Sequence, residues 1–126
     1  MNKSLSDFVD EALENVSEIS PEEVAKLLGS KEFMIIDVRE KEEFEEGHLP
    51  GSVLYPRGVL EVKADLEHFK RDPKLEDRSQ KIICYCGGGH RSALAADALR
   101  KMGFENPLSM AEGWRGWIKR DLPIEH

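Results

Sequence analysis

The segment that most limits what this chain can fold into is Lys81-Ile82-Ile83-Cys84-Tyr85-Cys86, which runs straight into Gly87-Gly88-Gly89-His90-Arg91. An apolar, partly β-branched run without polar alternation reads as a strand covered on both faces. Beyond the glycines, Ala93, Leu94, Ala96, Ala98, Leu99 and Met102 mark a strongly helical segment ended by Gly103. A second run, Phe33-Met34-Ile35-Ile36-Asp37-Val38, has the same buried character up to Asp37. Helices alternating with such strands predict an α/β fold, a mainly parallel central sheet flanked by helices on both faces.

The other segments fit that plan. Leu5, Phe8, Val9, Ala12, Leu13 and Val16 form one apolar face of an amphipathic helix, read as an N-terminal extension (1–17) ahead of the main domain (18–126). This face can fold back on its own domain or hold a dimer or another protein partner. Ser20, Pro21 and Glu23 give a capping box for a helix running through Val24, Leu27 and Leu28 to Gly29. A short helix from Lys41 to Glu46 stops at Gly47, and His48-Leu49-Pro50-Gly51 turns the chain into Val53-Leu54-Tyr55. Leu60, Ala64, Leu66 and Phe69 predict a helix before the polar loop Arg71 to Gln80. Phe104 to Met110, interrupted by Pro107, supplies a last strand, and Gly113 to Lys119 a short helix carrying Trp114 and Trp117.

Composition removes several functional classes. With 25 acidic against 18 basic residues, a net charge of -7 argues against binding a nucleic-acid backbone. No apolar stretch approaches the roughly 20 residues that span a bilayer, and Met1 to Asp10 lacks the pattern of a secretory leader. The 2 cysteines, Cys84 and Cys86, are too close in sequence to staple distant loops, so they read as free thiols in a reducing compartment. A cytoplasmic protein is expected. Two cysteines with His48 and His90 at unsuitable spacing make no zinc site, and no metal is expected.

Cys86 stands where a strand ends and three glycines allow the backbone to curl around its sulfur with N–H groups turned inward. The following helix directs its positive end to the same spot, and Arg91 adds a cation, so a thiolate is favoured over a thiol. A structural turn needs at most one or two glycines, which weighs against Cys86 being merely a buried core cysteine. Cys84, without a loop or cation of its own, reads as core, with a resolving thiol as the alternative.

Cys86-Gly87-Gly88-Gly89-His90-Arg91 resembles the C-x-x-G-x-R active-site loop of single-domain rhodanese-like sulfurtransferases. Asp37-Val38-Arg39-Glu40, Glu43-Phe44 and Gly47-His48-Leu49-Pro50-Gly51 are similar to that family's D-V-R-x-x-x-E-F-x-x-G-H-I-P-G-A stretch, with Ser52 in place of the alanine. Glu112-Gly113-Trp114-Arg115-Gly116-Trp117 resembles its G-G-x-x-A/G-W element, Glu112 standing where a glycine is usual. The resemblance spans about Ile19 to Pro123 and leaves the first helix outside.

It implies a rhodanese-like fold with an extra N-terminal helix, no cofactor, and ping-pong sulfur transfer through a Cys86 persulfide. The implied partners are a small anionic sulfur donor, such as thiosulfate or a persulfide, and a thiol, cyanide or thioredoxin-like acceptor. Around the loop, Asp37 is expected to cap or to pair with Arg39 and so support the site. His48 either takes part directly or bonds a helix-end carbonyl; His90 faces incoming substrate if exposed. Ser92 is expected to cap the helix and reach the Cys86 sulfur, and Arg57 either adds charge at the pocket or is a solvated surface residue.

Three rival readings remain. Phosphatases of the cell-cycle dual-specificity type share the fold but carry C-x5-R, whereas four residues separate Cys86 from Arg91, and arsenate reduction falls with them. A non-catalytic binding or regulatory module would need no intact cysteine loop, and a sulfur-carrier module would keep Cys86 only to hold the sulfur. Dithiol redox chemistry would use Cys84 with Cys86, at a spacing poorer than C-x-x-C.

Overall fold

The computed structural model describes residues 2–126. Five parallel strands, β1 (Ser17–Ile19), β2 (Phe33–Asp37), β3 (Val53–Leu54), β4 (Lys81–Tyr85) and β5 (Leu108–Met110), form one sheet in the order β1-β5-β4-β2-β3. The helices are α1 (Leu5–Leu13), α2 (Pro21–Lys26), α3 (Lys41–Glu46), α4 (Leu60–Ala64), α5 (His90–Lys101) and α6 (Gly113–Lys119). The expected α/β architecture is therefore present, with the extra helix at its start.

Strand alternation sorts the core into two layers. Ile36 and Val38 from the β2 segment join Ile82, Cys84 and Cys86 in packing against Leu60, Ala64, Ala95, Ala96 and Leu99 of α4 and α5. Ile35, Ile83 and Tyr85 face the opposite way, onto Val24 of α2 and Trp117 of α6. Both cysteines therefore lie on the α5 side of β4, and Tyr85 between them lies on the α6 side. Parallel register pairs Asp37 with Tyr85, so the loops leaving β2 and β4 emerge together at the carboxyl edge of the sheet, where open α/β sheets bind ligands.

Local signals place the helices. Ser20 accepts the Glu23 N–H at 3.2 Å, with Pro21 opening α2. The α1 face folds back on its own domain, where Val9 and Ala12 bury against Ala93 of α5, while Leu5 and Phe8 stay exposed.

Two expectations need correction. Ser17–Ile19 is an edge strand, β1, pairing in parallel with β5, where no strand is expected from the sequence; a boundary between 17 and 18 falls inside it. The helix read through Leu60, Ala64, Leu66 and Phe69 ends at Ala64, because Leu60 and Ala64 are buried whereas Leu66 and Phe69 are 52% and 83% exposed and give no packing to extend it.

Candidate functional site

Cys86 follows the last residue of β4 and its side chain is almost wholly buried. Its sulfur is met by the Gly89 N–H at 3.1 Å and the Ser92 N–H at 3.3 Å, and it lies 3.4 Å from Ser92 Oγ. Ser92 Oγ is in turn 2.8 Å from the buried Ser109 Oγ of β5. Two amides and a rotatable hydroxyl thus converge on one sulfur, an arrangement that suits a negative charge there.

The loop faces inward because its carbonyls are held from outside. The Trp114 N–H donates to Cys86 O at 2.7 Å and the Arg115 N–H to Gly87 O at 3.1 Å, so the start of α6 fixes the outer side of the collar. Among the described residues the N–H groups of Gly87, Gly88, His90 and Arg91 have no protein acceptor, as the loop and the open first turn of α5 leave them.

The three loop glycines are not equivalent. Gly89, at φ +105°, is the residue that turns left-handed to start α5, whereas Gly87 leaves room for the Arg91 guanidinium, 3.1 Å from where its Cβ would stand. Gly113 in α6 is packed against the backbone of the loop itself. At φ +56°, a Cβ there would lie 2.5 Å from Cys86 O and 2.7 Å from Gly87 C. Glu112 beside it is left-handed at φ +64°, which explains why a glycine is usual at that place in the motif.

Arg91 is not a free cation. Its Nη1 and Nη2 reach Glu43 Oε1 and Oε2 at 2.9 and 3.3 Å, while Glu43 also accepts the Glu40 N–H and closes the capping box of α3. The Arg91 hydrogen bond, which outweighs partial burial and is joined by the Glu40 N–H, holds the Glu43 carboxyl below the usual carboxylate range. One carboxylate therefore ties the collar to the start of α3.

Asp37 and Arg39 pair, as their spacing suggests, in a buried bidentate contact at 3.0 and 2.7 Å. Arg39 Nη2 donates to Gly47 O at 2.8 Å, and its guanidinium lies over the Tyr85 and Trp114 rings at 5.4 and 4.7 Å. The Tyr85 hydroxyl donates to Asp37 Oδ2 at 2.7 Å and accepts the Leu49 N–H at 3.1 Å. Burial, then the Asp37 charge, push this phenol above its ordinary value, so it remains a donor. On the α6 side of β4 this network braces the ends of β2 and β4 from below.

The remaining expected residues scatter. His48 stacks on Phe44 at 3.7 Å, its Nδ1 lies 2.8 Å from Phe44 O, and its backbone exchanges two hydrogen bonds with Glu125, so it sits at the end of α3. His90 opens α5 and is exposed. Ser92 does not cap α5, because it is already inside the first turn and the cap position belongs to Gly89; its contact with the Cys86 sulfur is present. Arg57 turns to Glu61 at 2.7 Å in a groove of about 450 Å³ between α1, α4 and α5. Sequence reasoning missed the Arg91 to Glu43 pair, the Tyr85 hub, Ser109 and the crowding at Gly113. Glu43 and Gly113 do stand within the motifs, but nothing in the motifs says what they touch.

The fold and site together define the class: an α/β protein with a parallel sheet and a cysteine collared by backbone amides at the sheet's carboxyl edge. Residues 20–120 match the family model of the rhodanese-like domain, and the chain belongs to that family. Thiosulfate sulfurtransferase GlpE of Pseudoalteromonas translucida is 31% identical over 99 residues, covering 79% of this chain and 86% of that one. YrkF of Bacillus subtilis is 35% identical over 104 residues, covering 82% of this chain, which spans about half (51%) of that protein's length. Among solved structures, RPA3614 of Rhodopseudomonas palustris, described as of unknown function and a possible tyrosine phosphatase, superposes with a TM-score of 0.93 at 30% identity over 99% of this chain and 96% of its own. That coverage includes the N-terminal helix.

Proposed function

We propose that this protein is a sulfurtransferase that carries a sulfane sulfur on Cys86. The observation that carries the reading is the convergence of the Gly89 and Ser92 N–H groups and the Ser92 hydroxyl on Cys86 Sγ, beside four amides with no protein acceptor. The Cys86 thiolate attacks the outer sulfur of thiosulfate, the sulfur–sulfur bond breaks, and sulfite leaves with its electron pair. The new terminal sulfur is a single negatively charged atom, which the free amides of Gly87, Gly88, His90 and Arg91 can hold without a bulky pocket. An acceptor, whether a small thiol, cyanide or a thioredoxin-like protein, then attacks that outer sulfur and regenerates the Cys86 thiolate.

The test is intact-protein mass spectrometry after incubation with thiosulfate or a persulfide. One added sulfur on the wild-type chain, and none on Cys86→Ala, is the expected result. The description of RPA3614 favours a second reading, phosphoester hydrolysis. The four-residue interval between Cys86 and Arg91 and the engagement of Arg91 with Glu43 count against it, and turnover of a phosphate ester without sulfur loading would reverse the choice.

A further inference from the structure

The motif points to Arg91 as the cation of the loop, yet its guanidinium is matched by both oxygens of Glu43. A second arginine stands at the collar. Arg115, in the first turn of α6, donates its backbone N–H to Gly87 O, and its Nη1 would lie 3.9 Å from a Cβ on Gly88. Its side chain is exposed, and among the described residues it has no carboxylate within ion-pair distance. Glu112, the cap residue just before α6, is bound by Nη1 and Nη2 of Arg120 at 3.1 and 2.8 Å, and Arg120 also holds Glu22. The chain thus satisfies Arg91 and Arg120 with three carboxylates and leaves Arg115 uncompensated beside Gly88.

We propose that Arg115, rather than Arg91, binds the charged half of an anionic sulfur donor, the sulfonate of thiosulfate being the model ligand, and so sets donor preference. This rests on the sulfurtransferase reading and names a substrate-binding residue for it. The sulfonate would sit over Gly88 against the Arg115 guanidinium while the outer sulfur points inward to Cys86. Arg91, bound to Glu43, positions the collar instead. A planar guanidinium suits a three-oxygen anion better than an ammonium does.

The experiment compares Arg115→Ala and Arg115→Lys with the wild-type chain on two donors: thiosulfate, and the persulfide of mercaptoethanol, which has no sulfonate or carboxylate. Sulfur loading of Cys86 is followed by intact mass and by steady-state kinetics. For Arg115→Ala, KM for thiosulfate is expected to rise by about tenfold, the loss of one charge-assisted contact, with kcat and the mercaptoethanol persulfide reaction little changed. Arg115→Lys should recover part of the affinity, and the salt sensitivity of thiosulfate loading should weaken in Arg115→Ala. Equal losses on both donors would assign Arg115 a structural role and overturn the inference, as would no loss on either. If only the mercaptoethanol persulfide loads the wild-type chain, the sulfurtransferase reading stands and the anion preference falls. If neither donor loads it, both fall.

Discussion

Cys84 and Cys86 are two residues apart, face the same layer of the molecule, and are equally hidden, at 0% and 1% exposure. Their surroundings differ in one respect. The Cys84 thiol lies within the strand among aliphatic side chains, where burial, and then the neighbouring Cys86, push it up to about 12 against a weaker pull from Arg57. The Cys86 sulfur, one step past the strand, is met by two amides and a hydroxyl. Burial alone therefore does not decide what a cysteine can do; the dipoles aimed at the sulfur do, and only the loop after β4 can aim them.

The largest expected effect separates the two residues outright. Cys86→Ser abolishes sulfur loading, whereas Cys84→Ser leaves its extent at the wild-type level, read by intact mass with thiosulfate. Cys84→Ser lowers stability by about 1–3 kcal/mol, because it buries a hydroxyl among apolar groups, and denaturant titration measures this. Loss of loading in a folded Cys84→Ser chain would mean that the two thiols work together, and the contrast would collapse.

A second lever acts on the collar without touching either sulfur. Gly113→Ala forces a Cβ to within 2.5 Å of Cys86 O at a left-handed φ, so the start of α6 has to back away from the loop it holds. The backbone conformation alone costs about 1–2 kcal/mol, and displacement of the collar should slow loading on the order of tenfold or more. Gly58→Ala, at an ordinary φ with nothing within 4 Å, is the control and leaves both stability and loading unchanged. Rapid-quench loading with thiosulfate and an unfolding curve decide the matter; a normal loading rate in Gly113→Ala would show that α6 does not set the loop's aim.

What could be read in advance follows contact range. The loop from Cys86 to Arg91 is continuous with its strand and helix, so all three are legible in one unbroken stretch from Lys81 to Met102, and Asp37 with Arg39 is a pair two residues apart. Glu43 and Arg91 are 48 residues apart, and only parallel pairing of β2 with β4 brings α3 to the collar. The role of α6 is hidden in the same way, since Trp114 and Arg115 act on the loop through backbone N–H groups, which carry no side-chain signature. Helix ends marked by side chains, Ser20 with Pro21 for example, were legible, whereas β1 was not, because three residues are too few for a period. Leu66 and Phe69 misled by keeping helical spacing on the surface.

The finest test of the contrast is thermodynamic. In the unfolded chain Cys84 has an ordinary value near 9.0, but in the folded chain it keeps its proton up to about 12. Above pH 9 the unfolded state therefore binds fewer protons than the native one, and stability falls as pH rises. The contribution is fully present below about pH 9 and is lost progressively toward pH 12, at up to about 1.4 kcal/mol per pH unit. Tyr55 and Tyr85 are also raised, chiefly by burial, and add to the alkaline decline. Both are present in wild type and in Cys84→Ala, as is Cys86, so the difference between the two proteins isolates Cys84. Urea titrations at about pH 8 and about pH 10.5 should show the wild-type advantage over Cys84→Ala shrinking by one to two kcal/mol, within the slope above. A gap that stays constant would mean that Cys84 ionises as readily inside the strand as in the unfolded chain, and that burial on the α5 side of β4 is not what keeps it inert.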